Sequence, residues 1–277
     1  MSRPLRIEFP GAVYHVTNRG NARQNIFSND EDRRQFLSIL EKTVNRYSWL
    51  CHAYCLMHDH YHLLIETQKP NLSLGMRQLN GLYTQTHNRS HNRIGHLFQG
   101  RFKSILLEKD TWLLPMCRYV VLNPVRSKII DHPLAWEWSS YRATATGRDI
   151  LPFLTLTWIF EQFGGELPEA HKKYRKYVAE GKTLPSPLEK RKGRIYLGSQ
   201  AFIENHVPEL ISKEVSRVQS QDFRPTLKKI FENESEEGQA IFKAYRQHAY
   251  RLSEIANHLD VHYSTISRRL KNIESTF

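Results

Sequence analysis

Residues 48–66, SWLCHAYCLMHDHYHLLIE, read as two β-strands, Ser48–Met57 and His60–Glu66, with His58-Asp59 as the tight connection between them. Both runs are rich in β-forming residues, and so short a link makes the pair antiparallel. The neighbouring segments build outward from this hairpin. Ala12–Thr17 (AVYHVT) alternates and reads as a strand, and Asn18–Gln24 (NRGNARQ) is a loop. Asn29-Asp30-Glu31-Asp32 opens a helix whose Phe36, Ile39, Leu40 and Val44 repeat at helical spacing. Leu72–Arg89 is helical by period, and Arg101–Lys109 (RFKSILLEK) is a fourth strand. The order β-α-β-β-α-β is the split βαβ, or ferredoxin-like, arrangement. The expected class is therefore α+β: an antiparallel sheet with helices on one face and the other face free for a ligand, an added helix after the fourth strand that docks beside the histidine strand, and an α-helical C-terminal region with a helix-turn-helix. Many functions share that architecture.

Composition narrows the partners. The 277 residues carry a formal net charge of +12, with 40% hydrophobic and 11% aromatic residues. Such a chain can bury real cores, and its charge calls for an anionic partner, nucleic acid before membrane. No apolar run approaches the roughly 20 residues of a membrane span, and the start, MSRPLRIEFPGAVYHV, lacks the apolar core of a signal peptide. The three cysteines, Cys51, Cys55 and Cys117, form no CxxC and no paired framework, so a reduced, cytoplasmic setting is expected.

His58, His60 and His62 occupy alternate positions. If the strand begins near His60, then His60 and His62 share a face and can grip one ion. A half-buried strand with imidazoles on its polar side explains the same pattern. A zinc hydrolase using all three histidines is a weaker reading, because no downstream ligand set has metallohydrolase spacing. Further on, Asp110 is a good N-cap, and TWLLPMCRYVVLN runs as a helix to Asn123, just before Pro124. Tyr119 and Asn123, four residues apart, share one helical face. A core tyrosine and a helix-closing asparagine would account for each singly.

MHDHYHLLI (57–65), GHLFQGRFKSILLE (95–108) and YVVLNPVRS (119–127) resemble the REP-associated tyrosine transposases. These are HUH single-strand nucleases, similar to the single-tyrosine transposases of small insertion sequences. His60-Tyr61-His62 occupies the place of the family's histidine–bulky residue–histidine motif. The resemblance puts the nucleophile at Tyr119 and the third metal ligand, beside His60 and His62, at Asn123. Where relatives usually carry Pro-Asn this chain has His58-Asp59, another turn-forming pair, which makes His58 a possible competing ligand. The implied activity is a metal-dependent endonuclease and strand transferase acting on single-stranded DNA at hairpins of repetitive extragenic palindromes. Tyr119 would attack in line to leave a 5′-phosphotyrosine and a free 3′-hydroxyl, with Mg²⁺ or Mn²⁺ as cofactor. Arg19, Arg23, Arg101, Lys103 and Arg126 are candidates for phosphate contacts. A nucleoid-associated monomer or homodimer is expected.

The remainder is organised differently. Leu151–Tyr177 has apolar helical spacing and ends in the cluster HKKYRKY, whose Tyr174 and Tyr177 are rival nucleophiles in principle. Thr183–Arg194 (TLPSPLEKRKGR) reads as a linker or basic loop, and the acidic run Glu232–Gln239 (ENESEEGQ) as a solvated hinge. LSEIANHLDVHYSTISRRLK (252–271) places Ile255, Ala256, Leu259, Val261, Ile266 and Leu270 at helix-turn-helix core positions. Its second helix, from near Ser264, would present Thr265, Ser267, Arg268 and Arg269 to base edges and phosphates. At the turn, Asp260 stands where glycine is usual, and a left-handed backbone there carries a cost. The expected divisions are a catalytic domain at 1–150, a helical and basic accessory region at 151–235, and a DNA-binding region at 236–277. A non-catalytic, sequence-specific DNA-binding regulator is the alternative function.

Overall fold

A computed structural model of the chain describes residues 7–191, 195–206, 225–248 and 250–274. Two compact units are present, one spanning Glu8–Gly198 and a second beginning at Ser199. Among the described residues no helix is long and apolar enough to cross a membrane.

The first unit is built on a five-stranded sheet of β1 (Ala12–Arg19), β2 (Trp49–Leu56), β3 (His60–Thr67), β4 (Lys103–Leu107) and β5 (Tyr196–Leu197), in the order β2-β3-β1-β4-β5. β1 lies antiparallel between β3 and β4, and β2 is antiparallel to β3. The two-residue β5 breaks the expected antiparallel rule, because it arrives after a long excursion and runs parallel to β4. β3 starts at His60, so His60 and His62 do share a face, and Tyr61 points the other way. Helices α1 (Asp30–Tyr47) and α2 (Leu72–Ser90) cover the Tyr61 face, where the Phe36 ring sits 4.9 Å from Tyr61 and 5.0 Å from Tyr83. α1 begins as its sequence dictates: the Asn29 side chain accepts the Asp32 N–H, and Asp32 returns the bond to the Asn29 N–H.

The opposite face carries the expected added helix. Helix α3 (Lys109–Val121) lies over it, and Leu113, Met116, Cys117 and Val120 form one buried core with Ala53, Leu64 and Ile105. α3 also starts earlier than its sequence suggests. β4 runs directly into it, with Glu108 as the capping residue, and Asp110 sits in the first turn, where its charge favours the helix dipole. After Leu122 a further turn, α4 (Asn123–Arg126), carries Asn123 at its start. The apolar period over 151–177 divides at Gly164 and Gly165, both at positive φ, into α6 (Thr157–Glu161) and α7 (Leu167–Glu180). α5 (Tyr141–Thr146) packs with them. Residues 183–191, read as a linker, form a short turn at Pro187–Lys190 within this unit; the rest of that stretch, 192–194, lies outside the described residues. Both outer strands of the four-stranded antiparallel core are bonded. Leu56 N–H donates to Trp138 O, Ser140 N–H to Tyr54 O and Thr155 N–H to Cys51 O along β2, while β4 meets β5.

In the second unit, α8 (Gln200–His206) is followed by α9 (Leu227–Glu232), α10 (Glu237–Phe242), α11 (Leu252–His258) and α12 (Tyr263–Glu274). Ile255, Ala256, Ile266 and Leu270 are buried with Ile230, Ala240 and Ile241, and Leu259 and Val261 pack against them half-buried. Asp260 takes the left-handed conformation, φ 52°, at the turn. The acidic run is no loose hinge. Glu234 accepts Lys243 Nζ at 2.6 Å, Glu237 pairs with Arg269, and Glu237 opens α10.

Candidate active site on the histidine face

Register brings the site together. His60 stands opposite Arg19, His62 opposite Thr17 on β1 and Cys55 on β2, and Thr17 opposite Lys103 on β4. All share the face that α3 partly roofs. The His60 end stays near solvent, with its side chain 14% exposed, while His62 is buried.

Each histidine is held through Nδ1. His60 Nδ1 lies 2.5 Å from Asp59 Oδ1, and Asp59 Oδ2 in turn receives Arg19 Nε at 3.3 Å. His62 Nδ1 lies 2.8 Å from Nε2 of His15, with the two rings stacked. This leaves Nε2 on both residues, and that of His62 is buried with no hydrogen-bond partner in the protein. Burial keeps all three imidazoles neutral: it pulls His15 down to about 4, helped by the neighbouring His60, and His62 well below its ordinary value. Burial also lowers His60, against the opposing pull of Asp59. Two neutral imidazoles with free Nε2 atoms suit a divalent cation, and a carboxylate on the far nitrogen is the usual way such a ligand is oriented.

Tyr119 reaches this place from α3. Its ring meets those of His62 and His15 edge-on, 6.0 Å between centroids in each case. Burial raises its phenol. Hydrogen bonds from Ser186 and Asn123 and the positive charges of Arg126 and Arg191 act in the opposite sense. Asn123, also buried, donates its Nδ2 to the backbone oxygen of Tyr119 at 2.9 Å, leaving its side-chain oxygen for a ligand role. Arg126 is half-buried and engaged, with its guanidinium 5.9 Å from the Tyr119 ring centroid and Nη2 donating to the carbonyls of Gly181 and Leu184. It belongs to the tyrosine's surroundings more than to a free phosphate-binding rim. Arg23, Arg101 and Lys103 are exposed, and Arg19 is shared with Asp59.

Other candidates fall elsewhere. His58 is exposed and turns away: its Nδ1 accepts from Arg33 Nη2 at 3.1 Å, and its ring meets Trp136. Tyr174 is buried in the core, and Tyr177 lies beneath the Arg118 guanidinium, 4.1 Å from its ring centroid. On α12, Ser267, Arg268 and Arg269 are exposed, Thr265 is half-buried, and Arg269 is paired with Glu237. Sequence reasoning missed His15, Asp59 and Ser186. Only Asp59 had a local signal, its place beside His60.

The family described as Transposase IS200 like matches residues 9–121. A protein of Haemophilus influenzae described as a REP-associated tyrosine transposase is 25% identical over 118 residues, 39% of this chain and 67% of that protein. A solved REP-associated tyrosine transposase bound to a REP hairpin is 15% identical and covers 55% of this chain and 90% of its own, with a TM-score of 0.46. Residues 9–121, which hold β1 to β4, both histidines and the tyrosine helix, are thus similar to the IS200-like transposases.

Proposed function

We propose that this chain is a single-stranded DNA endonuclease and strand transferase that cleaves beside palindromic hairpins, with Tyr119 as nucleophile. The observation that supports it most is the seating of the Tyr119 ring against His62, on a helix that runs on to Asn123. Nε2 of His60, Nε2 of His62 and the side-chain oxygen of Asn123 would hold Mg²⁺ or Mn²⁺. When bound, the ion supplies positive charge that polarises a phosphate oxygen. Asp59 and His15 orient the two imidazoles. For His62 Nε2 to carry a lone pair, the ring proton sits on Nδ1 and donates to His15 Nε2.

Tyr119 Oη forms a bond to phosphorus as the phosphorus–O3′ bond breaks. The products are a 5′-phosphotyrosine and a 3′-hydroxyl that takes up a proton. Ser186, Arg126 and Arg191 favour the phenolate that burial disfavours. A phenol of ordinary pKa near 10 is also a good leaving group, so attack by a 3′-hydroxyl reverses the step without an energy source. Arg19, Arg23, Arg101 and Lys103 would line the path of the strand. The REP-associated description of the H. influenzae relative supports hairpins as substrates. Thr265, Ser267, Arg268 and Arg269 of α12 would read duplex DNA, as the second helix of a helix-turn-helix does.

The test is incubation with 3′-labelled hairpin DNA and Mn²⁺ or Mg²⁺, followed by a denaturing gel. A labelled protein–DNA adduct that maps to Tyr119 by peptide mass spectrometry is the expected result. An adduct on another residue, or none with any hairpin or metal, overturns the reading.

A further inference from the structure

On the other side of the sheet, α2 ends in His87 and His91, one helical turn apart, with ring centroids 4.4 Å apart. Facing them is Asp32 from the first turn of α1. A carboxylate oxygen of Asp32 and one nitrogen from each ring all lie within 4.8 Å of one another, a grouping unmatched by any other three His, Cys, Asp or Glu among the described residues. Asp32 Oδ1 is 2.8 Å from His91 Nε2, while Oδ2 accepts the Ser28 and Asn29 N–H groups at 2.7 and 3.3 Å. An ordinary aspartate–histidine hydrogen bond thus accounts for Asp32 and His91. It does not account for His87, which is 1% exposed and has neither ring nitrogen bonded, its Nε2 standing 3.9 Å from Asp32 Oδ2. Buried polar atoms without partners are costly and rare, and the unbonded Nε2 facing Asp32 calls for an occupant.

We infer that Asp32, His87 and His91 form a second metal site, separate from the His60/His62 pair, that takes Zn²⁺ or a similar first-row ion. Two imidazoles and one carboxylate are a nitrogen-rich set suited to tetrahedral zinc, whereas Mg²⁺ and Ca²⁺ prefer oxygen ligands. Of the three, His91 is the one near solvent, with its side chain 23% exposed. The ion clamps the end of α2 to the start of α1. That corner bears on the active site: Arg33, next to Asp32, bonds the His58 ring, and the N–H groups of Ile26 and Phe27 both donate to His58 O. The clamp therefore steadies the turn from which His60 leaves.

The test uses the full chain carrying His60→Ala and His62→Ala, stripped by chelator and given Zn²⁺ or Co²⁺. One ion per chain after gel filtration, the visible bands of tetrahedral Co²⁺ and a rise in Tm are expected, although this protein forms no DNA adduct. His91→Gln added to that background keeps a donor to Asp32. It should weaken binding beyond the roughly 10–100-fold that loss of an outer hydrogen-bond partner costs. Failure of the His60→Ala/His62→Ala protein to retain an ion, or retention undiminished from that parent after His91→Gln or after His87→Ala, overturns the site. Because the readout is metal content, it is independent of whether Tyr119 cleaves DNA.

Discussion

Around His62 the polar groups hold one another: His15 on one ring nitrogen, Asp59 and Arg19 behind His60, and Ser186, Asn123 and Arg126 about the phenol of Tyr119. Along α12, by contrast, Ser267 and Arg268 stand exposed on a helix whose other side is core, and Arg268 bonds the backbone of its own helix, at Ser264 O. The first region has its groups held in place before a ligand arrives, the preorganisation that the proposed attack on phosphorus would require. The second spends its order on packing and leaves its polar side chains free to adapt, as recognition of a long anionic surface allows.

The sharpest way to break this contrast is Tyr119→Phe. It removes one oxygen, so folding and hairpin binding should persist while the covalent adduct falls to background on a denaturing gel. Tyr177→Phe should still form the adduct. The next largest effect belongs to an orienting residue. His15→Phe should cost about 10–100-fold in cleavage, as outer-shell losses at metal sites do. Raising the Mn²⁺ concentration should restore part of that activity, which a misfolded protein would not show. If His15→Phe cleaves as well as wild type, the interlocked description of the histidine face fails. Asp59→Asn tests the same idea at His60.

For the C-terminal unit the expected effect is smaller and of another kind. Arg268→Ala should weaken binding to duplex-containing DNA and reduce the salt slope of log K by about 1 if it meets a phosphate. Cleavage of a short hairpin should be unchanged. Equal binding and slope in the variant would count against α12 as a DNA-reading helix. Arg269→Ala is the less clean test because Glu237 already holds that side chain.

The smallest effect is on stability. Glu66, a buried residue of β3, receives Lys109 Nζ at 2.8 Å and His52 Nε2 at 2.9 Å, pinning the start of the tyrosine helix to the sheet. Burial alone would raise its carboxyl. The bonds from His52 and Lys109 outweigh that and hold it below its ordinary value. A lowered folded pKa means that the stabilisation is complete above the unfolded value, about 4.5, and is lost as pH falls through the folded one. Lys109→Met should cost roughly 1 kcal/mol, since the ammonium is one-third exposed. It should also flatten the acid limb of a Tm-against-pH curve. An unchanged limb would show that Lys109 does not set it.

Much of the frame was legible because it is local. Alternation marked β1, a tight link marked the join of β2 and β3, the helix-starting run Asn29-Asp30-Glu31-Asp32 marked the start of α1, and two-residue spacing put His60 and His62 together. Helical spacing did the same for Tyr119 and Asn123, and for the core of α11 and α12. What escaped was set by register and distance along the chain. His15 looks like any polar position of AVYHVTNR until β1 pairs with β3 and brings it to His62, 47 residues away. Ser186 sits in a proline-rich stretch whose composition suggests a linker, and only the fold carries it to the phenol.

The bonded outer strands of the antiparallel core have a consequence for anyone shortening the chain. A piece ending at residue 121, or at 150, would lack Tyr196 and Leu197, so β4 would lose the backbone partners now supplied by Ile195 and Leu197 at Leu106 and Glu108. It would lack Thr155 as well, which now bonds Cys51 on the outer strand. Exposed strands of this apolar sequence are templates for pairing with another copy. Such fragments would enter strand-swapped dimers or insoluble aggregates, and a lost activity in them would report association between chains, with the chemistry of Tyr119 left unread.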